Sequence, residues 1–146
     1  IPRAGQAFQI VHADAADYLA RSDIQADVIL LDGYDVCGLP EDLCTQAFYS
    51  HCWRALSAEG VLVANLWGGV SPQRGVYLER LAGIFSGRVW WSRPRNSSSL
   101  IAFALKNKRY YPQWTRLMLK AQKLGERYQL DLPGVAKDMR LRPDPD

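Results

Sequence analysis

Four polar residues stand where apolar runs of this sequence end, and their side chains are the strongest candidates for chemistry. They are Asp14, Asp32, Asp35 and Asn65. Ligands of open α/β sheets bind beyond the carboxyl ends of the strands, so residues at such ends are candidates for a binding or catalytic site. A carboxylate there can accept a proton from an amine or neutralise a cationic substrate. Turns also favour Asp and Asn, so a purely structural role is the alternative.

The elements that would position these residues follow from the hydrophobic pattern. Unbroken apolar runs are typical of strands buried on both faces of a parallel sheet, and they cover 8–13, 28–32 and 61–66. Apolar residues at helical spacing predict helices over 17–21, 40–56, 72–87 and 112–128, with Gly60 ending the second of them. This alternation of strands and helices predicts parallel βαβ units.

Two further strands are predicted at 88–92 and 100–105. The connection between them is short and polar, so we expect an antiparallel pair, because a parallel pair needs a long crossover. We expect one α/β domain over residues 1–130. Prolines recur from Asp131 onward, which predicts a poorly ordered tail over residues 131–146.

The composition is that of a globular protein, with 48% hydrophobic and 23% charged residues. No apolar run reaches the roughly 20 residues that a membrane helix needs, and no secretory signal is recognisable. Cys37, Cys44 and Cys52 lack the spacing of metal ligands and are typical of a reducing compartment. We therefore expect a cytoplasmic protein without a metal, in which the two later thiols are core residues.

The charge of the chain is unevenly distributed. Residues 1–73 carry nine acidic and three basic residues, a net of −6, whereas residues 74–146 carry fifteen basic and six acidic residues, a net of +9. A basic half can indicate a nucleic-acid partner. The basic residues of the last helix, however, recur at helical spacing beside an apolar stripe, so we interpret them as a solvent-exposed helix face and expect no nucleic acid. They are Arg116, Lys120, Lys123 and Arg127.

A glycine-rich cofactor loop is missing from the sequence, since no G-x-G occurs and Gly68-Gly69 follows a later strand. The sequence also opens with Ile1 rather than Met and enters a strand-like segment soon afterwards. We therefore expect a fragment whose native start, first strands and cofactor loop lie upstream. Such a fragment would leave strand edges unpaired, and we expect another chain or the molecule's own packing to cover them.

Three segments of the sequence resemble the spermidine synthase, or polyamine aminopropyltransferase, family. They are V-H-A-D-A-A-D-Y-L from Val11, D-V-I-L-L-D-G-Y-D-V-C-G-L-P-E-D-L-C-T-Q-A-F-Y from Asp27, and L-S-A-E-G-V-L-V-A-N-L-W from Leu56. The resemblance covers residues 8–105 and is most specific over 27–49. It implies an α/β fold like that of S-adenosylmethionine-dependent methyltransferases (Rossmann-like). Its open sheet would be mostly parallel, end in an antiparallel pair and lack its first strands.

The resemblance also implies an activity, the transfer of an aminopropyl group from decarboxylated S-adenosylmethionine to a polyamine acceptor. It assigns Asp35 as the catalytic carboxylate that orients and deprotonates the attacking amine. The other site residues follow by position: Asp14, Ala15 and Asp32 for the adenosyl compound, and Tyr34, Asn65 and Asn96 for the amine substrate. We also expect a homo-oligomer.

Several positions depart from the family pattern. The family's D-S-S-D-P is D-G-Y-D-V here, so Tyr34 replaces a small residue and Val36 replaces a proline. In the last inter-strand loop, Asn96 stands where the family has a tyrosine, and the neighbouring Arg95 would repel a polyamine. Two alternatives therefore stay open, an S-adenosylmethionine-dependent methyltransferase of the same fold and a non-catalytic fragment. We expect the isolated chain to bind adenosyl compounds weakly and to be inactive.

Overall fold

The computed structural model describes residues 9–21, 23–34, 39–66, 73–93 and 99–141. Helices and strands alternate through most of this range, as the sequence predicts. The helices are α1 (Ala15–Arg21), α2 (Gln46–Ala55), α3 (Gln73–Ile84), α4 (Trp114–Tyr128) and α5 (Leu132–Asp138), with a 3₁₀ turn at Glu41–Cys44. The strands are β1 (Ala26–Leu31), β2 (Leu56–Leu66), β3 (Val89–Ser92), β4 (Leu100–Leu105) and β5 (Arg140–Leu141). No described helix is long and apolar enough to cross a membrane.

The strands form one open, mixed sheet in the order β1-β2-β4-β3-β5. β1 runs parallel to β2, while β4 lies antiparallel to both β2 and β3. The antiparallel pairing expected for 88–92 and 100–105 is therefore confirmed. The described strands include fewer parallel pairs than the sequence indicates, because one of the predicted parallel strands does not form.

That strand was predicted over 8–13, and the prediction is wrong for residues 9–13, which form no strand. Ile10 is 82% exposed and Val11 is 46% exposed, and no described strand pairs with this segment. An apolar run becomes a strand only when a partner satisfies its backbone groups and covers its side chains. Residue 8 lies outside the described part of the chain.

β2 starts at Leu56, five residues earlier than the predicted start at residue 61. Gly60 does not end a helix but lies buried within this strand, beside a shift in the register between β1 and β2. A Cβ at Gly60 would lie 3.0 Å from both the Leu56 Cβ and the Ser57 carbonyl oxygen. Gly60 is therefore needed because the backbone passes close to Leu56 and Ser57 at a β-bulge. In the sequence, a glycine at a bulge looks the same as a glycine that ends a helix.

The tail predicted to be poorly ordered instead contains α5 and β5. Asp131 begins α5 by accepting a hydrogen bond from Gly134 N at 2.9 Å, and Pro133 lies in its first turn, where its missing N–H costs nothing. β5 then pairs antiparallel with β3 at the far end of the sheet. Pro133, one of the prolines that predicted disorder, is here part of the start signal of a helix, together with Asp131. Residues 142–146 lie outside the described chain.

One face of the sheet forms the main core. Leu62, Ala64, Ala102 and Ala104 are fully buried on this face, and Phe48, Tyr49 and Cys52 of α2 belong to the same cluster. Cys44 and Cys52 are buried and free, as predicted, while Cys37 lies outside the described residues. Burial raises the pKa of the Cys52 thiol to about 12, so it stays protonated and acts as an apolar core residue.

Candidate functional site

The carboxyl ends of β1 and β2 lie side by side, because Leu31 is the register partner of Ala64 in the parallel pair. Asp32 directly follows β1, and Asn65 is the penultimate residue of β2. Gly33, the residue after Asp32, passes close to the 3₁₀ turn, because a Cβ at Gly33 would lie 3.1 Å from Leu43 Cδ1. The sheet register thus brings two predicted site residues, 33 positions apart in sequence, to one edge.

Asn65 and Asp32 are joined by a direct hydrogen bond. Asn65 Nδ2 donates to Asp32 Oδ1 at 3.0 Å. Since an ionised carboxylate only accepts hydrogen bonds, this contact fixes which end of the Asn65 amide is the NH₂ group. The carbonyl oxygen Oδ1 is consequently directed elsewhere, and it is buried without a hydrogen-bond partner within the described structure. Its hydrogen-bonding capacity is therefore unused within the described residues.

Tyr34 ties the loop after β1 to the end of β2. Its hydroxyl donates to the backbone carbonyl of Asn65, and the residue is 37% exposed. The ring therefore lies at the mouth of the site rather than inside the core. Asp32, Tyr34 and Asn65, which the sequence assigned to one site, are brought together as a hydrogen-bonded group.

Asp14 and Ala15 lie at the start of α1. Asp14 Oδ1 accepts a hydrogen bond from Asp17 N at 2.9 Å, and its backbone carbonyl accepts from Tyr18 N. This is the geometry of a helix N-cap, so the structural alternative for Asp14 has a direct basis. Within the described residues, no hydrogen bond joins Asp14 to Asp32 or Asn65. A role of Asp14 and Ala15 toward a nucleoside stays a prediction.

Asp35 and Asn96 lie outside the described residues. In the sequence Asp35 follows Asp32 by three positions and directly follows Tyr34. Its proposed catalytic role therefore stays a prediction, as does the substrate role of Asn96.

A cleft of about 420 Å³ between the 3₁₀ turn and α3 was not predicted from the sequence. Arg80 Nη1 donates to the Cys44 carbonyl at 2.7 Å across it, and the Arg80 guanidinium lies 6.0 Å from the Tyr77 ring centroid. Burial raises the pKa of the Cys44 thiol and of the Tyr77 hydroxyl. Both groups stay protonated at neutral pH, so the cleft offers neutral side chains beside the Arg80 cation and the Glu41 carboxylate rather than a nucleophile. Tyr77 falls on an apolar stripe in the sequence, which gave no sign of this position.

No group of His, Cys, Asp and Glu that could hold a metal ion is present in the described parts of the chain. The described side chains at the sheet edge offer a carboxylate, an amide and a phenol. Such groups can bind a cationic or hydrogen-bond-donating small molecule, and a carboxylate among them can accept a proton.

Comparison with known proteins gives curated relatives but no match to a family model. The polyamine aminopropyltransferase of Chromobacterium violaceum is 34% identical over 131 residues, which is 90% of this chain and 50% of that protein. The polyamine aminopropyltransferase of Neisseria meningitidis serogroup A is 31% identical over the same share of the chain. The chain thus spans about half the length of the curated relatives it matches.

Solved structures show the same likeness. A spermidine synthase in complex with the transition-state analogue AdoDATO has 27% identity and a TM-score of 0.56, over 74% of this chain and 41% of that one. Human methyltransferase-like protein 13, solved with SAH, has a TM-score of 0.64 over 94% of this chain and 63% of that one. Its 21% identity shows a shared fold alone. Together they establish a Rossmann-like α/β fold.

Proposed function

Since the chain belongs to the polyamine aminopropyltransferase, or spermidine synthase, family, we propose that it forms part of the catalytic domain of an enzyme that transfers an aminopropyl group to an amine. The donor would be decarboxylated S-adenosylmethionine and the acceptor a polyamine. Because the chain spans about half of its relatives, we assign the activity to a protein of the family's full length and expect the chain alone to be inactive. A cytoplasmic location and a homo-oligomeric state are parts of the same proposal.

The hydrogen-bonded group at the ends of β1 and β2 is the observation that best supports this proposal. Its Asn65 Oδ1, buried and without a hydrogen-bond partner among the described residues, suits a ligand that donates a hydrogen bond, and an amine substrate carries such donors. Asp32, one hydrogen bond away, adds a negative charge that favours a cationic ligand. A sulfonium donor and a protonated polyamine are both cationic.

The reaction needs a neutral amine. Its nitrogen forms a bond to the aminopropyl carbon, the carbon–sulfur bond breaks, and the sulfur leaves with the electron pair as a neutral thioether. The alkylated nitrogen is then a protonated amine, and a carboxylate accepts its extra proton. We assign this role to Asp35, as the resemblance to the family implies, three positions after Asp32 in the sequence. Asp14 and Ala15 would hold the adenine, Asp32 would lie near the sulfonium compound, and Tyr34, Asn65 and Asn96 would contact the amine.

A methyltransferase is the second candidate, favoured by the fold shared with methyltransferase-like protein 13. It would use S-adenosylmethionine at the same sheet edge, where the ligands of this fold class bind. A non-catalytic fragment is the third candidate. The three candidates are distinguished by which adenosyl donor is consumed and by which group is transferred to the acceptor.

The assignment of Asp35 is tested in the protein expressed from the complete reading frame that contains this chain. Asp35→Asn should lower turnover by roughly two to four orders of magnitude, the range for loss of a positioned general base. Binding of the adenosyl donor should change little. Asp42→Asn removes the same charge from the nearby 3₁₀ turn and is the matched control. A lowered melting temperature with an unchanged rate would show that Asp35 is a structural residue.

A further inference from the structure

The cleft between the 3₁₀ turn and α3 has no part in the proposed transfer reaction. It shares no lining residue with the hydrogen-bonded group at the ends of β1 and β2. Its volume of about 420 Å³ falls within the range of about 300–1,000 Å³ that is usual for small-molecule sites. The residues that line it are Glu41, Cys44, Thr45, Val76, Tyr77 and Arg80.

Arg80 is held in position on one side of this cleft. Its Nη1 donates to the Cys44 carbonyl oxygen at 2.7 Å, and its guanidinium carbon lies 6.0 Å from the Tyr77 ring centroid. Within the described residues, Arg80 forms no other hydrogen bond and no ion pair. The remaining N–H groups of the guanidinium can therefore bind a carboxylate in the bidentate manner that arginine favours.

Glu41 brings the opposite charge to the same cleft. Burial raises the pKa of the Tyr77 hydroxyl, while Arg80 lowers that pKa and Glu41 raises it by smaller amounts. Both charges therefore act on one hydroxyl group. The described structure nevertheless contains no ion pair between Glu41 and Arg80. The cleft thus presents a cation and a carboxylate that are close together but do not neutralise each other directly.

The lining between these two side chains is uncharged. Cys44 and Tyr77 are neutral near pH 7, and Val76 is 42% exposed. Thr45 Oγ1 already accepts from Phe48 N and donates to a backbone carbonyl of the 3₁₀ turn. A ligand that lies between the two charges would therefore meet a small apolar surface at Val76.

We infer that this cleft binds a small zwitterion, an α-amino acid with an aliphatic side chain. Arg80 donates to its carboxylate, Glu41 accepts from its ammonium group, and its side chain contacts Val76. A simple anion would be repelled by Glu41, and a polyamine, which carries only positive charge, would be repelled by Arg80. The site is separate from the sheet edge, so its test does not depend on the proposed function.

The test compares L-valine with two probes that each lack one of its charges, isovalerate and isobutylamine. Binding to the protein expressed from the complete reading frame is measured by calorimetry. We expect saturable one-to-one binding of L-valine, at least about tenfold tighter than that of either probe. Arg80→Gln and Glu41→Gln should each lower the affinity for L-valine at least about tenfold, because each removes one charge-assisted contact.

Glu79→Gln and Lys123→Gln are the matched controls, since each removes one exposed charge of the same sign from a residue outside the lining. Both should leave the affinity unchanged. Glu41→Gln breaks no described side-chain hydrogen bond, so it decides the question if Arg80→Gln lowers the melting temperature. No binding of L-valine, equal affinity for isovalerate or isobutylamine, or an unchanged affinity of the Glu41→Gln variant overturns the inference.

Discussion

A single amide side chain organises the candidate site. Asn65 uses its NH₂ group to bind Asp32, while its backbone carbonyl accepts from Tyr34. Its side-chain oxygen is buried and has no partner within the described residues. Leaving a buried acceptor unpaired costs about 1–3 kcal/mol, and a ligand that donates to this oxygen recovers that cost.

The Asn65 contact gives a prediction at the level of one atom. Asn65→Asp replaces the donor by a second carboxylate about 3 Å from Asp32, so the free energy of unfolding should fall by about 1–3 kcal/mol near neutral pH. Repulsion raises the pKa of the pair in the folded state. The decrease in the free energy of unfolding should therefore be largest above that pKa. It should become smaller in acid, where one carboxyl is protonated and can donate a hydrogen bond to the other.

Denaturant unfolding of the variant at neutral and at mildly acidic pH measures this difference. Gln122→Glu makes the same change of charge at an exposed position of α4 and should cost little at either pH. An Asn65→Asp penalty that is the same at both pH values would show that the two side chains do not interact as described.

At the scale of elements, two helical glycines have opposite consequences. A Cβ at Gly125 of α4 would lie 2.7 Å from the Leu130 carbonyl oxygen and 3.2 Å from Pro133 Cδ, whereas one at Gly83 of α3 would meet nothing within 4 Å. Gly125→Ala should lower the free energy of unfolding by about 1–3 kcal/mol through overpacking. Gly83→Ala should raise it by about 0.5–1 kcal/mol, because alanine is the better helix former.

The two variants are each other's control, since they add the same methyl group to a helix. Thermal and denaturant unfolding give both values. Destabilisation by both variants would mean that α3 is packed more tightly at Gly83 than the structure shows. Stabilisation by both would contradict the close contact between Gly125 of α4 and the chain leading into α5.

The sequence predicts well those elements whose hydrophobic pattern reflects the face that they bury. α2 and α3 bury one apolar stripe, and the pairing of β3 with β4 follows from a short link. The errors occur where the outcome depends on distant partners or on a residue with two roles. Residues 9–13 lack a strand to pair with, Gly60 is a bulge residue rather than a helix stop, and Asp131 with Pro133 begins α5.

The site was predictable to a similar extent. The sequence placed Asp32 and Asn65 at strand ends, and the parallel register then brings them together. It did not predict that Tyr34 would reach the Asn65 backbone or that Asn65 would bind Asp32. Side-chain contacts of this kind depend on the loop conformation, which hydrophobic periodicity does not encode.

At the scale of the whole molecule, buried thiol and phenol groups make the folded state less stable at alkaline pH. Burial raises the pKa of Cys52 to about 12, from an ordinary value of 9.0, and raises that of Tyr49 as well. Below pH 9 both the folded and the unfolded chain keep the Cys52 proton. Above it the unfolded chain loses the proton first, so stability falls with rising pH until the folded pKa is passed.

We therefore expect the free energy of unfolding to decline between about pH 9 and pH 12, by up to about 1.4 kcal/mol per pH unit for the Cys52 proton. Cys52→Ala should be less stable at neutral pH, because it leaves a cavity, but its decline above pH 9 should be shallower. Denaturant unfolding across this range measures both slopes. Parallel slopes for the two proteins would mean that Cys52 does not titrate abnormally.

Among the described residues, one sheet face carries the main core, while the other face is exposed at Val28 and Leu30 of β1. This arrangement accords with a chain that spans about half the length of its relatives. Asp32 directly follows β1, which lies at the edge of the described sheet.

Product analysis is the most direct test of the proposed activity. The protein expressed from the complete reading frame is incubated with a short aliphatic diamine and with either decarboxylated S-adenosylmethionine or S-adenosylmethionine, and the products are identified by mass spectrometry. We predict that the first donor yields methylthioadenosine and a diamine lengthened by one aminopropyl group, and that the second yields neither. A methylated acceptor with S-adenosylmethionine, or no product from either donor with a folded protein, would contradict the assignment.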